Sequence, residues 1–128
     1  AFLGPFGVDQ LGTVLADLDL VVVPSLWFEN TPFAVLEAFA AGVPVFATNL
    51  GGMSEIVRQE DNGELFERAN ARDLAVRLER LTREPERLER YRAAIEPAKR
   101  IDQNADEIEN LYQVRREVAA AAARGFEP

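Results

Sequence analysis

Cysteine and histidine are both missing from this 128-residue sequence. Without cysteine there is neither a disulfide framework nor a thiolate metal site, and without histidine the commonest zinc ligand and the commonest general base are gone. Hydrolytic triads and zinc chemistry are therefore excluded within the chain. A third absence is local. Residues 1–57 contain no lysine or arginine and six acids (Asp9, Asp17, Asp19, Glu29, Glu37, Glu55), so this half carries −6 of the formal −8. All fourteen bases and the other sixteen acids follow in 58–128. Such a balance argues against nucleic acid as a partner, which requires a basic face. No apolar run approaches the ~20 residues that span a bilayer, and no charged segment followed by an apolar one opens the sequence. What remains is ordinary for a globular protein, with 48% apolar and 28% charged residues, and the expectation is a cytoplasmic protein with one core.

The apolar residues are arranged in alternating elements. Asp19-Leu-Val-Val-Val23 and Val43-Pro-Val-Phe-Ala47 are continuous apolar runs, as expected of parallel strands buried on both faces. Between them Thr31 is read as an N-cap, Pro32 as the first helical residue, Phe33 to Ala41 as a helix and Gly42 as its left-handed cap. A shorter helix is predicted over about 9–18, a turn and helix over 51–58, and a short strand around Glu64 to Phe66 after the Asn62-Gly63 turn. Strands alternating with helices predict a Rossmann-like α/β sheet, occupying residues 1–98. Beyond Asn70 the pattern is helical only. Leu74, Leu78 and Leu81 form one stripe, Leu88, Tyr91 and Ile95 a second. Ile101, Ala105, Ile108, Leu111, Tyr112 and Val118 form a third, on a helical tail assigned to 99–128.

In open α/β sheets ligands bind beyond the carboxyl ends of the strands, which selects the loops 24–31 and 48–54. The first carries Glu29 ahead of a helix N-terminus whose early amides lack intrahelical partners. The second carries Gly51-Gly52, either a close backbone approach to a ligand or a plain turn. Glu37 is the single charge in an otherwise apolar helix, which reads as buried all round. Burying an unpaired carboxylate costs several kcal/mol, so Glu37 either lies on a narrow exposed strip of the helix or pairs with an arginine, or else it accepts hydrogen bonds from a polyol. Asp17-Leu-Asp19 spells a D-x-D metal motif, but Asp19 opens its strand at the end opposite the ligand edge, so no metal is assigned.

These motifs occur in an order that resembles a known family. Glu29-Asn-Thr-Pro-Phe-Ala-Val-Leu-Glu37-Ala-Phe-Ala-Ala-Gly42-Val-Pro44-Val is followed by Gly51-Gly52-Met-Ser-Glu55-Ile-Val57 and Asn62-Gly63-Glu-Leu-Phe. With Pro24-Ser25 and Phe2-Leu3-Gly4, this is similar to the signature of family-4 glycosyltransferases of the GT-B class (glycosyl transferases group 1), marked by two glutamates seven residues apart. The resemblance spans residues 2–67 and implies the nucleotide-sugar-binding, C-terminal domain of a retaining hexosyltransferase. Glu29 would contact hydroxyls of the donor sugar as the catalytic-site glutamate, and Glu37 would accept from the nucleotide ribose. Amides around Asn30, Thr31 and Phe33 would add donors, and Gly51 and Gly52 would lie near the site. Glu55 is as well explained by the first turn of a helix, where the macrodipole favours an acid.

The resemblance also implies what to look for elsewhere. A nucleotide diphosphate sugar serves as donor substrate, no further cofactor is implied, and the acceptor is a carbohydrate, lipid or other molecule. In the family, an arginine and a lysine that neutralise the diphosphate, and a second Rossmann-like N-terminal domain that supplies the acceptor site, complete the enzyme. The present sequence is expected to be a fragment cut inside the donor domain and inactive alone, with the full-length protein in the cytoplasm or at the inner membrane surface. Its third apolar stripe, intended for the absent domain, is expected to drive self-association. The alternative reading is a non-catalytic α/β interaction module with a docking C-terminal helix.

Overall fold

The computed structural model describes residues 4–96 and 101–124. The chain divides into two compact units, Ala1–Pro97 and Ala98–Pro128. The first unit holds three strands, β1 (Val21–Val23), β2 (Val45–Thr48) and β3 (Gly63–Phe66), in the order β1-β2-β3. Both pairings are parallel, with Val22 opposite Phe46 and Phe46 opposite Glu64. A single 3-10 turn (Val8–Gln10) and helix α1 (Leu11–Ala16) precede the sheet, so the helix expected over 9–18 is broken into two short pieces. Helix α2 (Phe33–Ala40) joins β1 to β2 and α3 (Met53–Ile56) joins β2 to β3. Helices α4 (Ala71–Arg83) and α5 (Glu86–Ala93) follow the last strand.

Alternation along the strands assigns each residue to one of two cores. Val45 and Ala47 of β2 pack with Val35, Ala38, Phe39, Met53 and Val57, on the face covered by α2 and α3. Phe46 and Phe66 point the other way, to Leu81 and Tyr91 on α4 and α5, where Leu74, Leu78 and Leu88 join them. Phe46 and Tyr91 meet edge to face, centroids 6.4 Å apart. The first two predicted helical stripes therefore define the second core, except Ile95, which packs against the first. Only β2 is buried along its whole length. Strand β1 is half-buried, because it is the sheet's edge among the described residues and Val22 faces outward, so the expectation of two covered faces holds for one of the two runs.

Local signals end the elements. Gly42 sits at φ +74 after α2, the left-handed cap the sequence predicts. The start of α2 lies one residue later than expected. Pro32, in extended conformation, is the N-cap, and Thr31 makes no side-chain cap. A proline has no amide to leave unpaired, and its carbonyl receives both Val35 N and Leu36 N, at 3.0 and 3.2 Å. Helix α4 is capped by the Asn70 side chain, which accepts from Asp73 N at 3.0 Å.

The second core encloses a carboxylate. Glu64 on β3 is fully buried beside Phe46 and Phe66. Its Oε1 accepts from Tyr91 Oη (2.7 Å) and Arg80 Nη2 (2.6 Å), and its Oε2 from Arg77 Nη1 (3.1 Å). Arg80 also bonds Glu60 and Arg77 also bonds Asp73. Burial pushes the Glu64 carboxyl up, but the bonds from Tyr91, Arg80 and Arg77 outweigh it and leave the group below its ordinary range. The Tyr91 phenol is pushed up, first by burial and then by Glu64.

The second unit is helix α6 (Ile101–Arg124). Ile101, Ile108, Leu111, Tyr112 and Val118 of the predicted stripe are all exposed on it.

Candidate functional site

The carboxyl ends of β1 and β2 open into the loops the sequence singles out. The loop after β1, residues 24–32, and the loop after β2, residues 49–52, are joined backbone to backbone, with Gly52 N donating to Glu29 O at 2.8 Å. Glycine at position 52 is required by this contact. A Cβ there would overlap the Asn30 carbonyl oxygen and lie 2.9 Å from that of Glu29. Gly51 adopts φ +55 and lies against the Phe28 ring. The paired glycines thus allow one loop to press on the other, and the Gly52 amide serves the protein itself. Replacing Gly52 with alanine is expected to force the loops apart, costing about 1–3 kcal/mol of stability. A thermal melt of the variant coinciding with that of the parent would contradict this.

Glu29 is half-buried and doubly fixed, since besides its carbonyl its Oε1 accepts from Ser25 Oγ at 2.8 Å. Asn30 and Thr31 beside it are exposed. At the start of α2, the amides of Phe33 and Ala34 precede the first intrahelical bonds, which go to Pro32 O. The Phe33 side chain is 70% exposed, and Trp27 and Phe28 are 71% and 74% exposed, so the loop carrying Glu29 and the first residue of α2 together present three aromatic rings to solvent. A shallow apolar pocket of about 200 Å³ adjoins the strand ends, lined by Pro24, Leu26, Thr48, Phe66, Asn70 and Leu74.

Glu37 lies on an exposed strip, one of the readings the sequence leaves open, and not in a helix buried all round. Helix α2 buries Val35, Ala38 and Phe39 but leaves Ala34, Glu37 and Ala40 exposed, so it is not enclosed on all sides and its carboxylate has access to water. Burial therefore imposes no need for protein donors on Glu37. Small alanines gave the outer face an apolar composition without burial. Among the described residues, the buried carboxylate is instead Glu64. Glu37 borders a groove of about 280 Å³ between α1 and α2, whose other walls include Leu11, Leu15, Ala40 and Ala41. Glu55 is exposed in the first turn of α3, as a helix-terminal acid would be. Asp19 precedes β1 at the end away from these loops and pairs with Arg92 at 3.0 Å, a structural placement for the second aspartate of the D-x-D tripeptide.

The family model of glycosyl transferases group 1 matches residues 1–112. The chain belongs to this family. A relative, the D-inositol 3-phosphate glycosyltransferase of Rhodococcus opacus (strain B4), is 40% identical over 87 residues, which cover 68% of this chain and 19% of that protein. The solved structure of Anabaena HepE in complex with UDP and glucose superimposes with a TM-score of 0.70 at 23% identity, covering 88% of this chain and 32% of that one. The C-terminal domain of the group 1 family protein LpcC from Francisella tularensis aligns with a TM-score of 0.64 at 26% identity, over 73% of this chain and 48% of that one. The fold is that of GT-B glycosyltransferase structures. This chain spans about a fifth of the length of the R. opacus relative. No described helix is long and apolar enough to cross a membrane.

Proposed function

We propose that this chain forms the donor-binding part of a group 1 glycosyltransferase that transfers a hexosyl group from a nucleotide diphosphate sugar, with retention, to an acceptor held largely by another part of the enzyme. The observation that carries the reading is the fixing of Glu29 at the joined ends of β1 and β2, beside the α2 N-terminus. A carboxylate so held accepts from sugar hydroxyls, and the amides of Asn30, Thr31 and Phe33 are donors for the sugar and phosphates. UDP and glucose in the HepE complex support a donor of this class. Glu37 is assigned to the ribose hydroxyls, and its exposure on α2 leaves it accessible to them. Gly51 and Gly52 act by holding Glu29. Asn30, Thr31 and Phe33 complete the donor site. Titration of the full-length protein with UDP-, GDP- and ADP-sugars tests the assignment, and binding of none of them would refute it.

The 128-residue chain by itself is expected to bind these donors no tighter than the millimolar range, about −4 kcal/mol. The loops after β1 and β2 lie in a half with six acids and no base, so neither supplies a cation to neutralise a diphosphate. Micromolar binding by calorimetry would overturn this prediction.

A second property is proposed for the helical unit. The exposed Ile108, Leu111, Tyr112 and Val118 lie along one stripe of α6, and each large apolar side chain left in water forgoes ~1.5–3 kcal/mol. The isolated chain is expected to self-associate through this stripe, and Ile108→Asp and Leu111→Asp to shift it toward monomer in sedimentation velocity. A parent chain that is monomeric at high concentration would end this proposal.

A further inference from the structure

We infer that Ser25 is the positioning residue for the Glu29 carboxylate, and that its hydroxyl, in place of a cation, sets which oxygen of Glu29 is offered to the sugar. The inference rests on the proposed role of Glu29 as the sugar contact.

Three observations carry it. The first is the bond itself, Ser25 Oγ to Glu29 Oε1 at 2.8 Å, between two half-buried residues. The Ser25 hydroxyl also lies 3.3 Å from the Trp27 carbonyl oxygen. It has one proton to give, and the charged acceptor at the shorter distance takes it. The second is exclusivity. No lysine or arginine exists in residues 1–57, and among the described residues Ser25 supplies the only side-chain bond to Glu29. An arginine in its place would occupy both oxygens in a fork and neutralise the charge. A hydroxyl engages one oxygen without neutralising the carboxylate and leaves Oε2 for ligand hydroxyls. The third is backbone anchoring. Gly52 N holds the Glu29 carbonyl at 2.8 Å, so the main chain is already placed and the serine has only the side-chain torsions to restrict. With both ends of residue 29 fixed, the carboxylate is preorganised before any ligand arrives, and that saves the ordering cost of binding.

The consequence is confined to the sugar. Loss of the Ser25 hydroxyl frees the Glu29 side chain, which weakens recognition of the hexosyl group and leaves the nucleotide contacts untouched. The test uses the full-length protein with UDP, GDP and ADP and the corresponding nucleotide-glucose donors, read by calorimetry. Taking the nucleotide that the parent binds, Ser25→Ala should reduce the affinity advantage of the sugar-bearing form over the bare nucleotide by about tenfold. Affinity for the bare nucleotide and the melting temperature should stay at parental values, and Ser25→Thr should restore the advantage. Combined with Glu29→Gln, Ser25→Ala should add little, because both changes act on one interaction. An equal fall for nucleotide and nucleotide sugar, an unchanged advantage, or independent effects in the double variant would each overturn the inference. If the parent binds a nucleotide sugar and Glu29→Gln leaves its sugar advantage intact, the role of Glu29 itself is wrong and the inference falls with it.

Discussion

Glu64→Ala is expected to destabilise the first unit by about 3 kcal/mol. The substitution leaves the buried Tyr91 hydroxyl without its acceptor and takes the shared anion from Arg77 and Arg80. Both arginines retain a second acid, Asp73 and Glu60 respectively, and are partly exposed, which keeps the loss below that of a fully enclosed charge. The same group makes stability depend on pH. Since the folded carboxyl lies below its ordinary value of 4.5, the unfolded chain binds the proton more tightly. The contribution is therefore complete above that value and is lost as pH falls through the folded one. Urea unfolding between about pH 6 and pH 3 should show the parent losing stability below about pH 5, with a shallower slope for Glu64→Ala. Some slope persists in the variant, because Asp73 is also lowered, first by the Glu67 amide and then by Arg77. Parallel pH profiles for the two proteins would refute the assignment of the acid sensitivity to Glu64.

Glu29→Ala and Glu37→Ala in the full-length enzyme should fail in different ways. A charge-assisted bond to hydroxyls contributes roughly 1.5–3 kcal/mol, about ten- to a hundredfold in an equilibrium constant. For Glu37, assigned to the ribose, that loss is expected in affinity for the bare nucleotide. For Glu29, assigned to the sugar, affinity for UDP or GDP should be nearly unchanged while turnover falls by a comparable or larger factor, since contacts to the reacting sugar strengthen toward the transition state. The two measurements, nucleotide affinity and kcat, separate the roles. Equal losses of nucleotide affinity in both variants would show the division to be mistaken.

The sequence by itself determined the elements whose signals are local. The β-α-β order, the parallel direction of β1 and β2, the cap at Gly42 and the placement of both loops at the carboxyl edge all follow from apolar periodicity and from glycine and proline chemistry within a few residues of each position. The family was legible too, because its motif is an ordered string from Glu29 to Phe66 that needs no coordinates. Tertiary structure decided what depends on neighbours distant in sequence. Whether an apolar helix is buried depends on how many of its sides meet another element, and α2 meets the sheet on one side, so Glu37 is exposed although no residue near it in sequence is charged. Glu64 is the converse case. It alternates with Leu65 on β3, and its face is covered by α4, where Arg77 and Arg80 stand one turn apart and reach it across thirteen and sixteen residues of chain. Nothing in the sequence alone says that these two arginines share an acid, or which one. The loops behave likewise: Gly51-Gly52 reads as a turn or a ligand approach, and only the packing of residue 52 on the Glu29 and Asn30 carbonyls shows that the partner is the other loop. Local conformation is set by torsional preference and periodicity, which are properties of short segments, whereas burial and charge pairing are properties of surfaces that exist only once those segments have packed.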